Sequence, residues 1–257
     1  MEKILRLAHE AWFALCTYQN AWVYFFERFG WLRDKKIVLR FWNGIRYAVN
    51  TNTTDPRAVN EIWNTKVYDR FLSRLQNGGV VIDIGANIGV FSVKVAKVSP
   101  SVRVYAYEPL PANFAVLEEN VRQNGLEERV KPWKLAVSDH RGSASLYWDD
   151  RNRGGGTLLP DLEGHGAKSL QVECITLEDV FRANNILECE YLKIDCEGTE
   201  VPLLMNAPRE IFSRIKTITL EWHHGKMSIE EFLSFLNEAG YSTDFDARTS
   251  VIYAERK

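Results

Sequence analysis

Apolar and polar positions follow two periods along this chain, and the switches between them mark its elements. Val80-Val81-Ile82-Asp83-Ile84 is a short run rich in β-branched residues, which predicts a buried strand rather than a helix. It breaks at Gly85-Ala86-Asn87-Ile88-Gly89 into a tight turn, and a helical period takes over at 90–98. From residue 77 onward strand and helix patterns alternate. Strands are expected at 80–84, 102–107, 130–136, 191–194 and 217–221, and helices at 90–98, 112–124, 177–184 and 229–239, the second and fourth stopped by Gly125 and Gly240. Two last strands, at 241–246 and 250–255, form a terminal antiparallel hairpin. Such alternation calls for a doubly wound, mostly parallel α/β sheet.

Residues 1–76 read as an N-terminal cap and 77–257 as the core domain, with an insertion at about 143–175. The stretch 4–32 is crowded with aromatics, and its uncharged part, between Ala11 and Phe26, is too short to span a bilayer and carries Gln19 and Asn20 at its centre. One or two helices are expected there, covering the core domain or a second subunit as in a homodimer; the other role is peripheral contact with a membrane surface. Residues 36–50 read as a hairpin turning at Asn43-Gly44, followed by a helix with Asp55 as N-cap and Pro56 in its first turn. An amphipathic segment at 68–75 leads to a hinge, Asn77-Gly78-Gly79. Within the insertion, 143–148 and 170–175 read as strands and Gly154-Gly155-Gly156 as a mobile loop, either a connector or a lid.

Composition narrows the function. A net charge of −2 gives no electrostatic case for nucleic acid. Cys16, Cys174, Cys189 and Cys196 are widely spaced and form no C-x-x-C pair, which fits reduced thiols in a cytoplasmic protein.

The turn at 85–89 has the makings of a ligand site, because Gly85 and Gly89 allow close backbone approach and a helix N-terminus follows. A dinucleotide fingerprint starting at Gly85 would need glycine at Asn87 and Val90, and no phosphate-loop Gly-Lys-Ser/Thr follows. Strand 102–107 ends in Glu108, an acid at the place where nucleotide-binding sheets hold ribose hydroxyls. Asp83 with Glu108 therefore points to an adenosyl ligand that lacks a pyrophosphate.

The segments Val81-Ile82-Asp83-Ile84-Gly85-Ala86-Asn87-Ile88-Gly89, Tyr107-Glu108-Pro109, Leu135-Ala136-Val137-Ser138-Asp139 and Leu192-Lys193-Ile194-Asp195-Cys196-Glu197-Gly198-Thr199-Glu200 together resemble the FkbM family of S-adenosylmethionine-dependent methyltransferases. The resemblance runs from about Asn77 to the C-terminus. It implies a sheet of roughly seven strands. It also implies S-adenosyl-L-methionine held by Asp83, Gly85, Ala86, Asn87, Gly89, Glu108, Pro109, Ala136, Val137, Ser138 and Asp195.

Methyl transfer to a hydroxyl needs aim, desolvation and a proton acceptor. Candidates sit at the ends of the fourth and fifth core strands. Asp195 and Glu197 follow one, with Glu200 in the next helical turn as a cap or dipole partner. Glu221 and His223 follow the other, alternation placing them on one face and Trp222 with His224 on the opposite one. His223 is the expected base. The four groups Asp195, Glu197, Glu221 and His223 could also gather a divalent metal, which the resemblance does not require. The expected acceptor is a sugar, glycan or natural-product hydroxyl. The alternatives are an amine on a small molecule or protein side chain, and a non-catalytic adenosyl-binding scaffold.

Overall fold

The computed structural model describes residues 2–159, 168–223 and 227–257. The chain opens with α1 (Glu2–Thr17) and α2 (Ala21–Arg28), then a hairpin of β1 (Lys36–Arg40) and β2 (Arg46–Asn50). A short helix, α3 (Asp55–Asn60), follows; it continues as a π turn at Glu61–Thr65, and a 3₁₀ turn at Leu72–Asn77 leads into the main sheet. The expected cap, Asp55, instead stands inside α3, with Thr54 before it. Its carboxylate accepts hydrogen bonds from the backbone N–H and the side-chain amide of Asn50, closing the end of β2 rather than the start of the helix.

The large sheet takes β3 (Gly79–Ile84), β4 (Val102–Tyr107), β5 (Val130–Trp133), β10 (Cys189–Ile194), β11 (Ile215–Glu221), β12 (Tyr241–Asp246) and β13 (Val251–Arg256), in the spatial order β12-β13-β11-β10-β3-β4-β5. The pairs among β11, β10, β3, β4 and β5 are parallel, while β13 runs against both its neighbours. The strand order reverses between β3 and β10, the crevice where open α/β sheets hold their ligands. Crossovers α4 (Val90–Ala96), α5 (Pro111–Gln123), α6 (Leu177–Ala183), α7 (Glu200–Met205), α8 (Arg209–Phe212) and α9 (Ile229–Glu238) cover the faces. The expectation of a large, mostly parallel α/β sheet holds.

Alternation along β3 sorts the core. Val81 joins Tyr191, Phe91 and the aromatic residues Phe41 and Tyr47 on one face, and Ile82 and Ile84 join Leu192, Ile194 and the α6 and α9 side chains on the other. The hairpin is tied to the first face by Asn120, fully buried, whose amide accepts from Ala48 N and donates to the carbonyls of Ala48 and Ile88. Tyr47 adds a hydroxyl bond to Val90 O.

Two expectations for the middle of the chain are corrected. The strand at 130–136 is two strands: β5 ends at Trp133, and β6 (Ala136–Ser138) belongs to a second sheet. Pro132 lacks a ladder N–H, which suits β5 to the sheet edge where the chain can leave. The second sheet also contains β7 (Gly142–Asp149), β8 (Asn152–Thr157) and β9 (Lys168–Thr176), in the order β6-β9-β7-β8. The three glycines read as a mobile loop thus lie in β8, paired antiparallel with β7. Space is tight at the first of them: a Cβ on Gly154 would come within 3.2 Å of Asn87 Nδ2 and 3.3 Å of Thr54 Oγ1. Residues 160–167 of the insertion lie outside the described residues.

One polar pair interrupts the apolar centre. The register sets Lys193 on β10 beside Asp83 on β3, with Nζ 3.1 Å from Oδ1 and both side chains out of solvent. Removing one partner of a buried pair leaves an uncompensated charge and typically costs about 3–5 kcal/mol. Lys193→Met should therefore lower unfolding free energy by about 3–5 kcal/mol in urea titrations, and adding Asp83→Leu should recover part of that loss. A single substitution that costs nothing would show that the pair carries no structural charge balance.

Candidate functional site

The turn after β3 depends on glycine at one critical point. Gly85 has φ +72°, and a Cβ there would lie 1.7 Å from the carbonyl oxygen of Asp195. The ends of β3 and β10 can approach this closely only without a side chain. Gly85 N and Ala86 N donate to Tyr107 O, fixing the turn to the end of β4. Lys193 Nζ reaches up from β10 to donate to Gly85 O at 2.8 Å.

Two adjoining cavities open along these strand ends. The first, about 290 Å³, is lined by the turn, by Lys193, Asp195, Glu197, Glu221 and His223, and by Thr54, Arg57, Glu61 and Tyr68 from the N-terminal segment. The second, about 50 Å³, lies among Glu108, Pro109, Leu110, Ala136, Val137, Arg153 and Thr199. Gly85, Asn87, Gly154 and Asp195 face both.

Of the residues expected to hold a cofactor, Gly85, Asn87, Glu108, Pro109, Ala136, Val137 and Asp195 line the second cavity, and Ala86 lines the first. Three lie elsewhere. Asp83 is fully enclosed, accepting from Ser92 Oγ at 2.6 Å and facing Lys193. Gly89 begins α4 with φ +79° and packs on α5, where a Cβ would stand 2.3 Å from Leu117 Cδ1. Ser138 turns its hydroxyl to Asp139. These three shape the walls from behind.

Glu108 anchors the second cavity. Its two carboxylate oxygens accept from Asn87 N and Leu110 N, both at 2.8 Å. Burial pushes its pKa up to about 7, against the lowering by those two N–H groups.

The four expected catalytic groups meet in the first cavity. His223 Nδ1 lies 2.9 Å from Glu200 Oε1, and Nε2 lies 3.3 Å from Glu197 and 4.0 Å from Glu221. Glu200 is buried at the start of α7 and also accepts from Cys196 N and Gly198 N. Glu197 takes its place with φ +54°, a conformation seldom held by a non-glycine residue. Tyr68 donates within reach of both Asp195 Oδ2 (3.2 Å) and Glu221 Oε2 (3.3 Å).

Electrostatics bear on the expected role of His223. Burial alone would lower its pKa, but the Glu200 hydrogen bond and charge, then Glu197 and Asp195, outweigh it and hold the pKa up to about 10. These acids favour the protonated imidazole, which in that form has no lone pair to offer as a base. Burial, then the charge of Asp195, raises the carboxyl of Glu197 to about 7 and that of Glu221 to about 8. Glu61 is raised by the same two causes. Lys193 stays charged, because Asp83 and Asp195 overcome the lowering by burial. Asp195, Glu197 and His223 offer ligand atoms within 4.8 Å of one another, and a divalent ion bound there would have to displace the imidazole proton. The expected orientation of His224 lies outside the described residues.

Sequence reasoning missed Lys193, Tyr68, Glu61 and Arg57. Lys193 had a signal, a cation inside the apolar run of β10, which demands a buried partner. Tyr68, Glu61 and Arg57 had none, since only the folding of the N-terminal segment over the sheet brings them to the cavity.

Glu108, Glu197, Glu221 and His223 all bind their protons more tightly folded than unfolded. The stabilising protonation is complete below the ordinary values, 4.5 for the glutamates and 6.5 for the histidine, and is lost as pH rises through about 7 to 8 and about 10 respectively. The ligand-free chain should therefore melt at progressively lower temperature from about pH 5 to about pH 10, and His223→Gln should remove the upper part of that fall. Melting curves that are flat across this range would overturn the charge assignment.

A profile of the methyltransferase FkbM domain matches residues 83–243. The chain is 28% identical over 240 residues to the 31-O-demethyl-FK506 methyltransferase FkbM of Streptomyces tacrolimicus, covering 82% of this chain and 91% of that protein. It is 26% identical over 188 residues to methyltransferase sdnD of Sordaria araneosa, covering 63% and 72%. The fold matches the crystal structure of methyltransferase FkbM from Methylobacillus flagellatus KT with a TM-score of 0.50 at 15% identity, over 69% of this chain and 44% of that one. This chain spans less than half of that protein's length. The profile covers well over half of the residues, and the chain belongs to the FkbM methyltransferase family.

Proposed function

We propose that the chain is an S-adenosylmethionine-dependent O-methyltransferase acting on a hydroxyl of a polar small molecule or glycan. The observation that carries this reading is that the two cavities join at Gly85, Asn87 and Asp195, so that an adenosyl group against Glu108 can extend its sulfonium arm into the larger cavity, where an acceptor would meet it beside Asp195. The residues present fit the cofactor. Gly85 lets the ends of β3 and β10 meet beside both cavities, Glu108 offers carboxylate oxygens to ribose hydroxyls, and two buried polar atoms at the cavity walls, Asn87 Oδ1 and Arg153 Nε, have no protein partner.

Bound there, the cofactor would supply a methyl group activated by a sulfonium. The chain's part is to aim the acceptor oxygen and to take its proton. Glu221 is the base in this reading: burial and Asp195 hold its carboxyl at about 8, close to working pH, and Tyr68 fixes the carboxylate in place. Asp195 orients the acceptor, and the His223 cation, pinned by Glu200, limits the repulsion among the surrounding acids. The S. tacrolimicus relative bears an O-methylation in its name, which supports a hydroxyl acceptor. A second reading, methylation of an amine, draws on the same carboxylates, because they would also favour an ammonium-bearing acceptor.

Glu108→Ala should weaken binding of the demethylated cofactor by about 1–3 kcal/mol in calorimetry with the fold intact. An unchanged dissociation constant would remove Glu108 from the ribose site. Glu221→Gln should lower kcat by about 10²–10⁴-fold in assays with labelled methyl donor, and the rise of rate with pH through about 8 should vanish with it. A rate limb near pH 6.5 lost in His223→Gln instead would restore the histidine as base. Labelled transfer to amines but to no hydroxyl in an acceptor panel would decide for the second reading.

A further inference from the structure

The N-terminal layer leaves large aromatic rings in solvent. Trp22 is 60% exposed, Phe29 68% and Trp31 70%, although the same layer buries Tyr18, Tyr24 and Phe41. The exposed rings form one patch. Trp22 meets Phe26 at 5.6 Å between ring centres, Phe26 meets Trp31 at 5.1 Å, and Trp31 meets Phe29 at 5.9 Å. A second group stands where the hairpin turn reaches α1, with Trp12 and Trp42 exposed and the Trp42 indole N–H directed to Leu15 O. Contiguous apolar surface of this kind marks a contact site.

Charge selects the partner. The first 50 residues hold eight Lys and Arg against four Asp and Glu, a net +4, whereas the remaining chain carries −6. The guanidinium of Arg33 lies about 3.5–4.0 Å from where a Cβ of Gly30 would be, which sets it over the turn between Phe29 and Trp31. Exposed Lys35 follows, and among the described residues neither Arg33 nor Lys35 has a carboxylate within ion-pair distance. A second copy of the chain would bring one positive layer against another. An anionic surface meets the same layer with complementary charge.

We propose that α1, α2 and the turn at 29–33 dock this protein on the surface of an anionic phospholipid bilayer. The tryptophan indoles sit at the headgroup level, where rings with a polar edge are favoured, phenylalanine enters the apolar boundary beneath, and Arg33 and Lys35 face lipid phosphates. The contact is peripheral, since no described helix is long and apolar enough to cross a membrane.

Co-sedimentation of the full chain with vesicles tests this. Binding to vesicles of phosphatidylcholine mixed with phosphatidylglycerol should exceed binding to phosphatidylcholine alone by roughly tenfold or more and should fall with salt. Trp22→Ser/Phe29→Ser/Trp31→Ser should lose binding to both vesicle types by at least about tenfold. Arg33→Glu/Lys35→Glu should lose only the preference for the anionic vesicles. Circular dichroism of each variant should match the parent, so that a loss is not unfolding. Absence of vesicle binding by the parent chain at low salt would overturn the proposal. So would a parent chain that is dimeric without lipid and becomes monomeric in the triple aromatic variant, since the patch would then be an interface between copies.

Discussion

The buried pair of Asp83 and Lys193 ties the site to the sheet. Parallel register sets the two side by side at the switch point, on the face shared with the N-terminal segment. A lysine in such a place loses its hydration, and only charged and carbonyl partners on several sides can replace it. Asp83 supplies one, Gly85 O another, and Asp195 stands 3.6 Å from the same ammonium. One side chain thus fixes the strand, the glycine turn above it and the first carboxylate of the larger cavity. Ser92 at the start of α4 holds the remaining oxygen of Asp83, so the helix after the turn is set by the same pair.

Beyond Asp195 the cavity has more acid than cation. Glu61, Glu197, Glu200 and Glu221 gather around Lys193 and His223. Burial first and the charge of Asp195 second push Glu197 and Glu221 upward, and the surrounding carboxylates push His223 upward. The same shifts turn ordinary carboxyl groups into groups that titrate near neutral pH, which is what a base for a hydroxyl requires. Structural charge balance and chemical readiness are here one arrangement.

The sheet was legible because its central strands are buried on both faces and read as apolar runs. The glycine turn was legible because few ligands fit its spacing. The course of 134–157 was not. The break between β5 and β6 needs a second sheet to receive the chain, and three glycines carry no period that separates a strand from a loop. The surroundings of His223 were hidden for a different reason. Its neighbour in sequence, Glu221, is 4.0 Å away, whereas Glu200, which meets its Nδ1 at 2.9 Å, stands at the start of α7.

The N-terminal segment completes what the sheet leaves open. Tyr68 reaches the carboxylates of Asp195 and Glu221, and Thr54 Oγ1 accepts from Gly154 N, joining the segment to β8 across the mouth of the cavity. Lys94, nearly buried on α4, holds the segment down by donating to Ile62 O and Asp69 while lying over the Trp63 ring. The motifs of the core strands line the smaller cavity, whereas Arg57, Glu61 and Tyr68, which carry no motif, set the shape and charge of the larger one. If the larger cavity takes the acceptor, as proposed, changes confined to this segment would alter which acceptor fits while the turn and Asp195 stay the same.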